Sequence, residues 1–235
     1  MRNYIVLNGV SSETIQGLLI QELPPITKPK IRTNIEEIDG RDGDIITELG
    51  YSAYDKAISI GLYGDFDIDQ IISYFNSSGQ VVFSNEPDKY YNYTILAQID
   101  FNRLIRFRTA TVKFHCQPFK YSQEDNSKTF TIDEGTTSIQ IRNAGNIYSK
   151  PVLTITGTGD LGIYLNGMQI FAIALGSLNQ IIIDTNNMNA YLGETLLNRI
   201  VTGDYNNFKL NSGLNTISWS GNISQIKIDN YTRWI

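Results

Sequence analysis

The sequence is poor in the side chains that do chemistry. It has one cysteine and one histidine in 235 residues. The lone Cys116 excludes a disulfide within the chain and permits folding in a reducing compartment. The lone His115 would have to serve any nucleophilic pair, and it excludes a metal site built on several histidines. His115 and Cys116 are also neighbours on a predicted strand, so they face opposite sides and form no dyad by local geometry. Charge is sparse at 18% and acidic in balance, with a net charge of −5 and a pI near 4.9. That argues against general affinity for nucleic acid or for an anionic membrane. No run of about 18 apolar residues exists, so no membrane insertion is expected. The stretch MRNYIVLNGVSSETIQ has no secretory apolar core, so synthesis in a cytoplasm without a signal peptide is expected.

What the sequence does have is strand-forming material. It contains 14 Tyr and 10 Phe, and 41% of residues are hydrophobic, enough for packed cores. The stretch Arg103–Tyr121 carries the clearest pattern. Ala110, Val112, Phe114 and Cys116 alternate with Thr109, Thr111, Lys113 and His115, the mark of a strand with one buried and one wet face. Pro118 is expected to end it, with Ser122–Ser127 as a polar link. This divides the chain into an N-terminal domain, 1–127, and a C-terminal domain, 128–235. In the first, strands are expected over Tyr4–Val10 with an Asn8-Gly9 turn, Leu18–Leu23, Lys30–Ile38, Ile45–Leu49, Ala57–Tyr63, Gln80–Phe83 and Tyr90–Ile99. Ile68, Ile71, Ile72 and Phe75 share one face of a helix, expected to be the one substantial helix. Asp65 or Asp67 caps it, Asp69 lies in its first turn, and Gly79 suits its far end. In the second domain, short strands at regular spacing predict a sandwich or jelly roll, with Asn166-Gly167 as a type I′ hairpin turn. The fold class is therefore all-β with one short helix.

No constellation assembles a catalytic, cofactor or metal site. Asp65, Asp67 and Asp69 match half of a calcium loop but lack its glycine and distal glutamate, and capping explains them. Gly157-Thr158-Gly159-Asp160-Leu161-Gly162 has dinucleotide-loop spacing, but it precedes a strand and lacks a βαβ context. The exposed segments of interest are the turn at Asp39–Asp44 and the basic cluster Arg103, Arg106 and Arg108. Each reads either as a solvated loop or strand start, or as a contact for another subunit.

The order of these features resembles the distal tail protein family, from the tail tips of long-tailed phages of Gram-positive bacteria. It rests on the Asp39-Gly40-Arg41-Asp42-Gly43 loop and on the helix that follows it. It rests also on the basic strand closing in Gln117-Pro118-Phe119, on Gly213–Ile217 leading to Ser220-Gly221, and on the terminal Arg233-Trp234-Ile235. The resemblance implies a tail-tube-like N-terminal β-sandwich and a galectin-like or carbohydrate-module-like C-terminal jelly roll. It implies a non-enzymatic hub at the distal end of a phage or prophage tail. Six copies would close a ring and join the tail tube protein to the tail-associated hub protein. DNA would pass the lumen without specific binding, and some relatives also hold receptor-binding proteins. Ring or partner contacts are then expected at Gly40, Arg41, Asp42, Gly43, Arg106, Arg108, Thr109, Thr111 and Lys113. A second reading is a carbohydrate-binding module that stacks sugars on exposed aromatics. Its candidates are Tyr164, Tyr191 and Tyr205, with Trp219 assigned to the core and Trp234 also considered.

Overall fold

Alternation decides most of the architecture. The computed structural model describes residues 2–75, 77–124 and 126–235. Asp125, inside the expected link, lies outside them. The protein is all-β with little helix, and the chain separates into two units, residues up to 120 and residues 121–234.

The first unit contains β1 (Ile5–Leu7), β2 (Val10–Ser11), β3 (Leu18–Glu22), β4 (Ile31–Glu37), β5 (Asp44–Tyr51) and β6 (Tyr54–Leu62). After helix α1 (Ile68–Tyr74) come β7 (Ser78–Phe83) and β8 (Lys89–Thr94), then helix α2 (Phe101–Phe107) and β9 (Thr109–Ser122). Seven strands form one sheet in the order β2-β1-β7-β8-β9-β6-β3. Its core takes every second residue of the central strands: Ile58 and Ile60 from β6, and Ala110, Val112, Phe114 and Cys116 from β9. The Asn8-Gly9 turn holds both residues at positive φ, 50° and 85°, as a type I′ hairpin turn requires.

Four expectations need correction here. β9 does not stop before Pro118 but runs on to Ser122. Its pairing with β6 ends at Cys116, so Pro118 lies where no β6 partner needs a donor. Tyr90–Ile99 is not one long strand, since β8 ends at Thr94 and Leu96 is exposed. Helix α1 begins as expected, with Asp67 Oδ1 accepting from the Asp69 and Gln70 amides at 3.0 and 3.2 Å. Its buried face, however, is Ile71, Tyr74 and Phe75, while Ile72 is exposed, and Gly79 lies within β7 rather than at the helix end.

The fourth correction is α2, which occupies what was expected to be the start of a strand. Asp100 Oδ1 accepts from the Arg103 amide at 2.8 Å, capping the first turn. Leu104 is fully buried, and Arg108 closes the helix in the left-handed region at φ 58°. Burying a side chain of this size contributes roughly 1.5–3 kcal/mol, enough to fix a two-turn helix that would not stand alone.

The second unit comprises β10 (Ser127–Thr131), β11 (Ser138–Asn143), β12 (Val152–Leu165), β13 (Met168–Ala174) and β14 (Gln180–Asp184). It continues with β15 (Asn189–Leu192), β16 (Thr195–Leu196), β17 (Val201–Gly203) and β18 (Gly213–Asp229). Two long strands organise it. The first half of β12 and the second half of β18 lie in a row ordered β10-β18-β12-β14-β15-β16. Their other halves lie in the row β11-β18-β12-β13-β17. Residues from both rows pack into one aliphatic core around Phe171, Phe208 and Trp219.

The change of row falls where the pairing of β12 with β18 shifts register, between Thr156 and Gly162. A Cβ on Gly157 would lie 2.4 Å from the Asn222 carbonyl oxygen, and one on Gly221 would lie 2.3 Å from that of Asp160. The Gly157–Gly162 spacing therefore serves a close backbone crossing at a bulge inside one strand. Where only short strands were expected, the segments 152–156 and 163–165 are continuous through it, as are 215–220 and 223–229. The Asn166-Gly167 turn has φ of 50° and 86°, as expected.

Candidate assembly surface

β4 and β5 pair only with each other and form a separate two-stranded sheet. An isolated hairpin of this kind is marginal in water. Nearly all of it is exposed, including Ile35, Ile38, Ile46 and Leu49. Ile35 stands directly opposite Ile46, so both project from one face. Thr33–Glu48 and Glu37–Asp44 flank that pair on the same face. The apolar centre is thus bordered by carboxylates. From Lys30 to Tyr51 there are six acidic residues against three basic ones. Gly40, Arg41, Asp42 and Gly43 form the exposed tip, with both glycines at positive φ.

The hairpin root, by contrast, is tied down. The Ser52 amide donates to the Lys30 carbonyl at 2.8 Å, and the Tyr51 ring meets Phe119 edge-on at 5.5 Å. Just before β4, Lys56 Nζ donates to the Pro25 carbonyl at 3.0 Å and Asn85 Nδ2 to the Pro24 carbonyl at 2.9 Å. Lys56 belongs to a buried charged cluster. Its ammonium lies 4.8 Å from the centre of the Tyr91 ring. Lys120 Nζ pairs with Glu86 Oε1 at 2.7 Å, and the Tyr91 hydroxyl donates to Glu86 Oε2 at 2.6 Å. Burial lowers the pKa of Lys56, opposed by the nearby Glu86 charge. Burial likewise pushes Tyr54 and Cys116 up to about 12.

A second exposed surface has the opposite character. Helix α2 and its approach leave Leu96, Ile105 and Phe107 in solvent. Arg103, Arg106 and Arg108 are exposed as well, with the Arg106 guanidinium 5.9 Å from the centre of the Phe107 ring. The guanidinium of Arg108 lies over the Phe66 ring at 4.9 Å. A shallow cavity of about 440 Å³ opens here, lined by Asp100, Asn102, Arg103, Arg106 and Phe107. The sequence reading found the arginines but not the exposed apolar residues beside them. The signal was present, because Phe101, Leu104 and Ile105 have helical spacing behind an N-capping aspartate.

The remaining expected positions fall elsewhere. Thr109, Thr111 and Lys113 lie on the outward face of β9, opposite Gly61, Ser59 and Ala57 of β6. Thr109 and Ser59 both donate to Gln21 Oε1 at 3.0 Å. His115 Nδ1 meets Asp55 Oδ1 at 2.9 Å on that face, while Cys116 is buried on the other. In the second unit, Tyr164 and Tyr191 are half-buried on different strand rows. Tyr205 packs its ring edge-on to Phe171 at 5.2 Å, and the structure does not bring the three together on one strand pair. Trp219 is in the core, as expected. Among the described residues no cluster of three or more metal-ligating side chains occurs, and no helix is long and apolar enough to cross a membrane.

Comparison with known proteins bears on the fold. Residues 12–116 match the phage tail protein RIFT-related domain family. The whole chain has the fold of the Dit protein of phage SPP1, described as a paradigm of the hub adsorption apparatus in phages infecting Gram-positive bacteria. The TM-score is 0.67 at 14% identity, covering 100% of both chains. A chain of the phage P2 baseplate in its activated, calcium-containing conformation is also similar. Its TM-score is 0.51 at 11% identity, covering 100% of this chain and 98% of that one. No curated protein sequence matches. The resemblance to distal tail proteins thus holds for the fold of the full chain and for a phage tail domain in its first half.

Proposed function

We propose that this protein is the structural hub of a long, non-contractile phage tail, closing into a six-membered ring between the tail tube and the tail-associated proteins. The observation that carries the proposal is the complementarity of two unpartnered surfaces in the first unit. The β4–β5 hairpin offers Ile35 and Ile46 within an acidic border, and α2 offers Ile105 and Phe107 within a basic one. A hairpin docking on the α2 face of the next copy is a heterologous contact, and such contacts generate rings when the rotation closes. Burying the apolar pairs supplies affinity, and the opposed charges set register and encounter rate. The similarity to the SPP1 and P2 proteins supports assignment of that ring to a tail tip, and supports a non-enzymatic role and a place in the virion. The chain's net charge of −5 suits a lumen that lets DNA pass without adhering.

The test is electron microscopy of the concentrated protein, alone and with its neighbouring tail proteins, scored for ring symmetry. Six-fold rings are expected, and they should be lost in Phe107→Glu and in Ile46→Glu. Rings that persist in both variants would sink the hairpin-to-helix contact. Monomers under every condition would sink the hub.

A further inference from the structure

The β4–β5 hairpin leaves and rejoins the first unit by two short legs. The returning leg is only Ser52 and Ala53, between β5 and β6. Two attachments leave one free movement, a swing about the line that joins them. The outgoing leg runs from Leu23 to Lys30 and holds three of the chain's six prolines, Pro24, Pro25 and Pro29. Prolines restrict the leg's own conformations but donate to no neighbour. From Pro24 to Pro29 the leg makes no backbone-to-backbone hydrogen bond among the described residues. Two side chains hold it instead, on consecutive carbonyls. Asn85 Nδ2 donates to that of Pro24 at 2.9 Å, and Lys56 Nζ to that of Pro25 at 3.0 Å.

The Lys56 end of this tie is deep in the unit. Lys56 is 2% exposed, and its ammonium is faced by the Tyr54, Phe83 and Tyr91 rings, with centres 5.4, 5.9 and 4.8 Å away. Glu86 has both carboxylate oxygens engaged elsewhere, Oε1 by Lys120 and Oε2 by the Tyr91 hydroxyl. Among the described residues, the Pro25 carbonyl is the one oxygen bonded to the Lys56 ammonium. The two partners are unequal. Pro25 is exposed, so its carbonyl can turn to water. The ammonium cannot, and a buried cation without an oxygen partner is costly. The cation therefore gives the tie its strength.

We propose that Lys56 and Asn85 form a latch that sets the angle of the β4–β5 hairpin, so that Ile35 and Ile46 face a second copy of the chain in one direction. The use of that face as a ring contact rests on the function proposed above, and the latch itself does not. A hairpin fixed beforehand in its docking direction loses less freedom on binding. When only a fraction of hairpins point correctly, the apparent dissociation constant rises by the inverse of that fraction.

The experiment compares the full chain with Lys56→Met, which puts an apolar group of similar length in place of the ammonium, and with Asn85→Ala. Residual dipolar couplings are measured by NMR on dilute, monomeric protein, for the amides of β4 and β5 and for Val112 and Phe114 of the main sheet. In the unaltered chain one alignment frame should fit both sets. In Lys56→Met the hairpin couplings should shrink about twofold or more while those of the sheet are retained, and the concentration giving half-assembled rings should rise about tenfold. Asn85→Ala should move both readings the same way by less, and it carries the test if Lys56→Met does not fold. Lys128→Met, a surface lysine of β10, should change neither. Hairpin couplings that keep their full size in both variants, or that are already averaged in the unaltered chain, overturn the latch and leave the hub untouched. Couplings that shrink while rings form at the original concentration support the latch and sink the hairpin-to-helix contact.

Discussion

The two units bury polar groups in different ways. The first encloses ionic ones: Lys56, and the pair Lys120–Glu86 with the Tyr91 hydroxyl on the same carboxylate. The second buries one guanidinium, Arg233, and otherwise relies on neutral amides and hydroxyls. Asn143 donates to the Ile147 and Leu210 carbonyls at 2.8 and 3.0 Å and accepts from the Gly145 amide at 2.9 Å. Ser149 and Thr185 cap the Tyr231 and Pro151 carbonyls at 2.8 and 2.7 Å. Neutral groups of this type fasten loops to strands at little electrostatic cost. Buried charges are stable only while every partner is present, which ties the hairpin root to one protonation state. The lesson is that the unit bearing the projecting hairpin is the one exposed to chemical insult.

High pH should separate the two units most. In the first, burial raises the pKa of Cys116 from 9.0 and of Tyr54 from 10.0, each to about 12, and raises Tyr74, Tyr91 and Tyr93 as well. These groups keep their protons in the folded state but lose them in the unfolded chain. Their stabilisation is therefore intact below about pH 9 and is lost as pH climbs toward 12. Lys56, with its pKa lowered, works the other way, since folding gains as pH rises toward 10.5. The five acids outweigh it. In the second unit burial raises the pKa of Tyr205. Residue-resolved NMR through an alkaline titration should show the first unit's core resonances collapse while those around Phe171 persist. Simultaneous loss of both would break the comparison.

Glu86→Ala comes next. It leaves the Lys120 ammonium buried without its carboxylate, and should cost about 3–5 kcal/mol, read as a drop in the denaturation midpoint of the first unit. A change below about 1 kcal/mol would show that water reaches the pair. Asn143→Ala, its neutral counterpart, should cost about 1–3 kcal/mol by stranding buried backbone partners, and its effect should not vary between pH 6 and pH 9. A pH-dependent loss would contradict the neutral account. Smallest of all is Ile35→Ser. The side chain is already 55% exposed, so chemical denaturation should shift by no more than about 0.5 kcal/mol while ring assembly fails. A substantial loss of monomer stability would mean that the hairpin packs on its own chain.

Much of this was legible in the sequence because strand periodicity is a local property. The β9 alternation, both Asn-Gly turns and the Asp67 cap could be read directly from neighbouring residues. What escaped depends on contacts between distant segments. Helix α2 was hidden by the basic strand that follows it, although Asp100 and the Phe101–Leu104–Ile105 spacing announced it. The long strands β12 and β18 looked broken because glycine usually marks a turn, and only the opposite backbone shows why Gly157 and Gly221 stand there. The Lys56–Glu86–Lys120 cluster joins β6, β9 and the turn before β8, a convergence no spacing rule reveals. The loop residues Gly40–Gly43 were found, while the Ile35–Ile46 pair behind them appeared only once register was known.

The crossing of β12 and β18 also dictates how the second unit breathes. Each strand is one covalent thread through both rows, so neither row can detach from the other at the crossing. Opening must begin at the free margins, β10 and β16 in one row and β11 and β17 in the other, and travel inward. Amide hydrogens of Leu196 and Thr202 will therefore exchange through small local fluctuations. Those of Ile155 and Ile226, paired beside the crossing, will exchange only when the whole unit unfolds, so their rates report its global stability.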